Sequence, residues 1–163
     1  MSNSNVPGGE LFLATLNRYV PEVMQTMVGV TAKPGTGNEN APQPASLVGV
    51  TGSIGLSGKV NGMVYTAFSY DLAQCVAEKI LGGSASDQDV SDVVAELTNM
   101  ITGNLKSQLC DSGFNCSLSI PSVVKGDDIR VSAKTASVSV RNDYTIEDCP
   151  GSLVVQAFAA LEH

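Results

Sequence analysis

The chain has 163 residues, 43% of them hydrophobic, which suits one domain, 1–163, with a core large enough to need no disulfide staple. Nine Lys and Arg stand against 16 Asp and Glu, a net charge of −7. That balance excludes nucleic acid and an anionic membrane surface as main partners, because both require clustered basic residues.

No stretch approaches the roughly 18 apolar residues of a membrane span. The opening residues, MSNSNVPGGE, carry neither a basic n-region nor a continuous apolar h-region. The expected compartment is therefore the cytoplasm. The four cysteines, Cys75, Cys110, Cys116 and Cys149, form no C-x-x-C, and the one histidine is His163. The common zinc patterns and any Ser-His or Cys-His pair within the fold are thus excluded, and no metal site is expected. In a cytoplasmic setting the cysteines are expected as reduced thiols.

Along the chain, residues 9–28 read as a helix. Leu11, Phe12, Leu16, Tyr19, Val20, Val23, Met24 and Met27 fall near a 3.6-residue period. Pro21 predicts a kink or a break there. Residues 33–46 carry Pro34, Pro42 and Pro44 among Gly, Asn and Thr, and read as a loop, a candidate for mobility, with no assignable role. Two β-rich runs follow, 47–54 and 58–68, joined by turn chemistry in LSGKVNG. Gly49, Gly52, Gly55, Gly58 and Gly62 do not form a phosphate loop. Five residues rather than four separate Gly52 from Gly58, and Val60 rather than Ser or Thr follows Lys59. They read as glycines at turns and close strand crossings.

Helix returns at 70–81, with Ser69 as candidate cap and Gly82-Gly83 as its stop. A further helix, capped by Ser86, Asp87 or Ser91, runs to about Ser112-Gly113. Short strands are predicted at 114–124, 129–133, 135–142 and 152–161, with turns at 126–128 and 150–151. The order of helix, strands, two helices and strands implies an α+β fold with a mostly antiparallel sheet.

On a wheel of about 100° per residue, Val90, Val94, Leu97, Ile101, Leu105 and Leu109 share one arc. Asp92, Glu96, Asn99, Gly103 and Lys106 lie opposite, with Val93 and Met100 flanking them as an apolar rim. Glu96 and Asn99 are at i and i+3, so their side chains are neighbours. Gly103 costs roughly 1 kcal/mol against Ala inside a helix, and a solvated face does not require it; a missing side chain would let a partner come close. On the wheel alone, a Glu and an Asn so placed are also what any solvated helix face carries.

The segment Asp92-x-x-x-Glu96-Leu97-x-Asn99-Met100-Ile101-x-Gly103-Asn104 resembles the signature helix of the CheC/CheX/FliY family of response-regulator phosphatases. That family's pattern is Asp or Ser, three residues, Glu, two residues, Asn, then a proline about 22 positions on; here Pro121, in Ser119-Ile120-Pro121, follows Asn99 by 22. The run 52–58 is similar to the family's glycine-rich hairpin, and the likeness spans about 9–161. CheC-type members carry two copies of the motif. This chain carries one, since its other glutamates are followed at the third position by Leu13, Gln25, Pro42, Leu81 or Pro150. The single copy is similar to the CheX type, which implies a CheC-like fold and a homodimer. No FliM/FliN-like domain is read, so a motor-switch component is not expected.

The resemblance implies a phosphatase acting on the aspartyl phosphate of a CheY-like receiver domain. It needs no cofactor of its own, because Mg²⁺ is bound by the partner regulator. Asn99 would hold and orient the attacking water, and Glu96 would pair with the regulator's lysine. Asp92, Met100, Gly103 and Lys106 would form the partner-binding surface. The alternative is a non-catalytic receiver-binding module using the same face, followed by a structural module with a decayed site.

Overall fold

The computed structural model describes residues 8–162. The first seven residues of the opening segment and His163 lie outside the described residues. In chain order the elements are α1 (Gly9–Met27), β1 (Ala32–Pro34), β2 (Ala45–Gly58), β3 (Val60–Phe68), α2 (Tyr70–Leu81), α3 (Asp87–Asp111), β4 (Cys116–Leu118), β5 (Ser122–Val131), β6 (Val138–Ile146) and β7 (Ser152–Leu161). The strands make one seven-stranded sheet of order β1-β6-β7-β3-β2-β4, with β5 also paired to β2. Every strand pairing is antiparallel. The α+β architecture expected from the order of elements is the one observed. No helix among the described residues is long and apolar enough to cross a membrane.

The three helices share one face of the sheet. The register places Val50, Val64, Phe68, Leu153, Val155, Ala157, Val140 and Tyr144 on that face. They join Phe12, Leu16, Val20 and Met24 of α1 and the whole predicted stripe of α3 in a single core. The alternation predicted around 135–142 belongs to Val138–Ile146, whose even-numbered residues are all buried. β7 is central and mostly buried, with Gln156 and Phe158 covered on the face away from the helices as well.

Four expectations are corrected. The break at Pro21 is absent: α1 continues through it, because Val20, Val23 and Met24 on either side are locked in the core. Residues 33–46 are a tied strap rather than a free loop. β1 pairs β6, Asn38 and Arg141 exchange backbone bonds of 2.8 and 2.9 Å, and Ala41 N–H donates to the Ser139 carbonyl at 2.7 Å. The Gly126-Asp127-Asp128 turn is instead a bulge inside β5, where the register against β2 shifts between Leu47 and Gly49. Gly49 carries φ 106°, a conformation a glycine adopts freely, and its close approach to Phe68 leaves no room for a side chain.

The fourth correction concerns the thiols. Cys75 of α2 and Cys149, in the turn between β6 and β7, form a disulfide with Cα atoms 6.0 Å apart, while Cys110 and Cys116 are free. The folded topology is the reason. Ser69 N–H donates to the Ser152 carbonyl and Ser69 Oγ accepts from Ser152 N–H, each at 3.1 Å. These bonds hold the start of α2 against the start of β7 and bring together two cysteines 74 residues apart.

Candidate functional site

The site begins with how α3 is fixed. Of the three candidate caps, Ser86 is the one used. Its hydroxyl accepts from Asp89 N–H at 3.1 Å, and the Asp89 carboxylate accepts from Ser86 N–H at 3.0 Å, a capping box. From there the helix runs 25 residues without a break.

Beneath the middle of α3 lies Gly52 of β2. A methyl group there would overlap the side chain of Thr98. Thr98 Oγ1 donates to the Val94 carbonyl at 2.6 Å and lies 2.5 Å from Thr66 Oγ1 of β3, so the Thr66 hydroxyl is left to donate. Thr102 Oγ1 donates to the Thr98 carbonyl at 2.7 Å. Both α3 threonines are fully buried. Thr98, the residue preceding Asn99, bolts the helix to the sheet. The wheel misses both threonines because Thr reads as polar; the available signal was Gly52, a strand glycine that marks a close crossing.

On the opposite side, Asp92, Glu96 and Asn99 are exposed, and Gly103, Met100 and Lys106 are half-buried. The row from Asp92 to Lys106 extends about 21 Å at 1.5 Å rise per residue. The Asp92 carboxylate accepts from Gln88 Nε2 at 2.8 Å, which holds it along the helix. Among the described residues, neither Glu96 nor Asn99 has a side-chain hydrogen bond or ion pair, so carboxylate and carboxamide are both open to a partner. Gly103 has no atom outside its own helix within 4 Å of where a Cβ would stand. Lys106 sits furthest along, close enough to Cys116 to oppose the upward push that burial and Cys110 exert on that thiol.

Pro121 stands just ahead of β5. Val123 pairs with Gly52, the residue under Thr98, so Pro121 sits two residues along the chain from that crossing. Ser119 anchors the segment: its N–H donates to the Gly55 carbonyl at 2.9 Å and its hydroxyl accepts from Gly55 N–H at 2.8 Å. Ile120 projects into solvent, 85% exposed.

Glu96 also borders an apolar indentation of about 160 Å³ lined by Met27, Ile80, Asp92, Val93 and Leu97. Met27 and Ile80 come from the ends of α1 and α2 and belong to no motif. A larger hollow of about 500 Å³ lies by the disulfide, lined by Asp71, Gln74, Glu78, Lys79 and Asp148. It holds none of the α3 residues.

Comparison with known proteins bears on the same helix. The family model described as chemotaxis phosphatase CheX matches residues 50–145. The CheY-P phosphatase CheX of Thermotoga maritima is 30% identical over 118 residues, covering 69% of this chain and 74% of that protein. The structure of the chemotaxis protein CheX of Desulfovibrio desulfuricans superposes with a TM-score of 0.80 at 27% identity, covering 93% of this chain and 99% of that one. The CheX of the CheX–CheY–BeF3–Mg²⁺ complex from Borrelia burgdorferi gives a TM-score of 0.70 at 21% identity, covering 93% of this chain and 98% of that one, a likeness of fold.

Proposed function

The chain belongs to the CheX chemotaxis phosphatase family, of the CheC-like superfamily, and on that premise we propose that the exposed face of α3 hydrolyses the aspartyl phosphate of a CheY-like receiver domain, with Glu96 and Asn99 as its working pair. The observation that carries this is the unpartnered Asn99 carboxamide on a helix held from below by Thr98 and Gly52.

Phosphoryl transfer is mostly a matter of positioning, because attacking and leaving oxygens must lie in line. Asn99 offers a donor and an acceptor on one neutral group, so it can bind water in a set orientation without adding negative charge beside the phosphoryl group. The water oxygen bonds to phosphorus, the bond from phosphorus to the aspartyl oxygen breaks, and the electron pair leaves with the receiver's carboxylate. Both protons of the water remain with the released phosphate. Glu96 is anionic and unsuited to face the phosphate; its carboxylate pairs with a lysine of the receiver and sets the helix in register. Mg²⁺, in this reading, stays with the receiver and offsets charge on the phosphoryl oxygens, and this chain supplies no metal ligand.

The remaining readings belong to the same proposal. Asp92, Met100, Gly103 and Lys106 form the contact surface around the pair. One core and one sheet support a single working domain. The cytoplasm is the setting in which the chain would meet receiver domains. A homodimer is supported by large apolar residues left exposed, Val48 of β2, Val124 of β5 and Ile120 just ahead of β5; a clean monomer in sedimentation at micromolar concentration would count against it.

The test of function is phosphate release from a phosphorylated CheY-like protein. Accelerated decay supports the enzyme. Unaltered decay with retained binding gives the non-catalytic receiver binder instead.

A further inference from the structure

The C-terminal ends of α1 and α2 meet α3 beside the active pair, and they leave apolar surface uncovered. Met27 closes α1 and Ile80 precedes the last residue of α2; each is 36% exposed although the bodies of both helices are sealed in the core. With half-buried Val93 as a wall and fully buried Leu97 as the floor, they enclose the indentation of about 160 Å³. That is room for one large apolar side chain, since an apolar cavity of about 150 Å³ accepts a benzene-sized guest. Among the described residues, the charged liners are the carboxylates of Asp92 and Glu96.

We infer that this indentation is the receptor for an apolar side chain, adjoined by a basic one, on the surface of the phosphorylated receiver domain. The apolar group seats against Met27, Ile80, Val93 and Leu97, and the cation meets the two carboxylates at the rim. Charge complementarity selects the occupant: an acidic or neutral apolar segment would place nothing opposite Asp92 and Glu96. Continuity does so too, because Glu96 belongs to both the indentation and the working pair, so whatever covers Asn99 covers this hollow. The inference rests on the reading of the α3 face given above. It adds residues of α1 and α2 that no motif contains, and it makes them determinants of affinity rather than of the chemical step.

The experiment measures binding of a CheY-like receiver, held in its phosphorylated form by beryllofluoride and Mg²⁺, across a salt series, with phosphate release measured in parallel. Met27→Gln and Ile80→Gln should each weaken binding by about tenfold, the scale of losing one apolar anchor, with kcat at saturating receiver and the slope against salt unchanged. Asp92→Asn should flatten that slope, because it removes an ionic contact. Wild-type affinity in both Gln variants would overturn the inference, as would loss of a dimer in sedimentation with receiver binding intact, which would assign the hollow to a second copy. Weakened binding in those variants, with no phosphate release even by the wild type, would uphold the docking site and overturn the catalytic reading. Absence of any receiver binding would overturn both.

Discussion

Gly52 and Gly103 both stand inside unbroken elements, one beneath α3 and one on its far side, and the contrast separates a glycine the fold demands from one it does not. Gly52 is enclosed: a methyl group there meets the Thr98 side chain, so the sheet can approach α3 only where the strand has no side chain. Gly103 is surrounded by open space, and nothing in the described residues requires it. The first glycine belongs to folding. The second concedes helix stability on the face that carries Glu96 and Asn99, and the proposed contact with a receiver domain would account for it.

Substitution is the way to break or sharpen that contrast. The largest effect is expected at the proposed pair, Glu96 and Asn99. Asn99→Ala should slow phosphate release on the order of 100-fold, the scale of losing one positioned polar group, while receiver binding measured by calorimetry largely persists. Full activity in that variant would remove the water-orienting role. Gly52→Ala comes next: overpacking against Thr98 should cost about 1–3 kcal/mol in denaturant unfolding and lower activity by displacing α3. A variant as stable as wild type would show that the close crossing is not tight. Glu96→Ala should weaken receiver binding and, with it, turnover, roughly tenfold for a lost rim charge pair. The smallest effect has the opposite sign. Gly103→Ala should raise stability by up to about 1 kcal/mol yet weaken the receiver complex, and a gain in stability with unchanged affinity would show that the glycine serves no partner.

What could be read from the residues follows the range of the forces involved. The helix at 70–81 was legible to the residue, because Gly82 supplies the left-handed cap at φ 73° and local chemistry suffices. The stripe of α3 and its exposed row were equally legible, since helical periodicity is local. The cap of α3 was narrowed to three residues, and only the reciprocal bond with Asp89 selects Ser86. Ser69 was expected to cap α2, yet its hydroxyl is taken by Ser152 N–H, 83 residues on. The same limit hid the strap 33–46, whose backbone partners lie in β6, and the Cys75–Cys149 bridge. Gly126-Asp127-Asp128 has turn composition, but β2 supplies a partner strand and the extra residue becomes a bulge. At the candidate site, the paired Glu96 and Asn99 were visible in the spacing. Thr98 was not, because its burial depends on a glycine in another strand. Met27 and Ile80 were not, because their juxtaposition needs three helices in place.

β7 is the last strand among the described residues and yet it lies between β6 and β3 in the middle of the sheet. On the ribosome, where synthesis runs from the N-terminus, the β2–β3 hairpin and all of α3 therefore emerge before the strand that completes the surface beneath them. Until Leu153, Val155 and Ala157 arrive, Val64 and Phe68 have an open edge beside them. Helix α3 is thus synthesised early and secured late, and a chain cut short before Ser152 would carry the whole signature motif on a sheet without its centre.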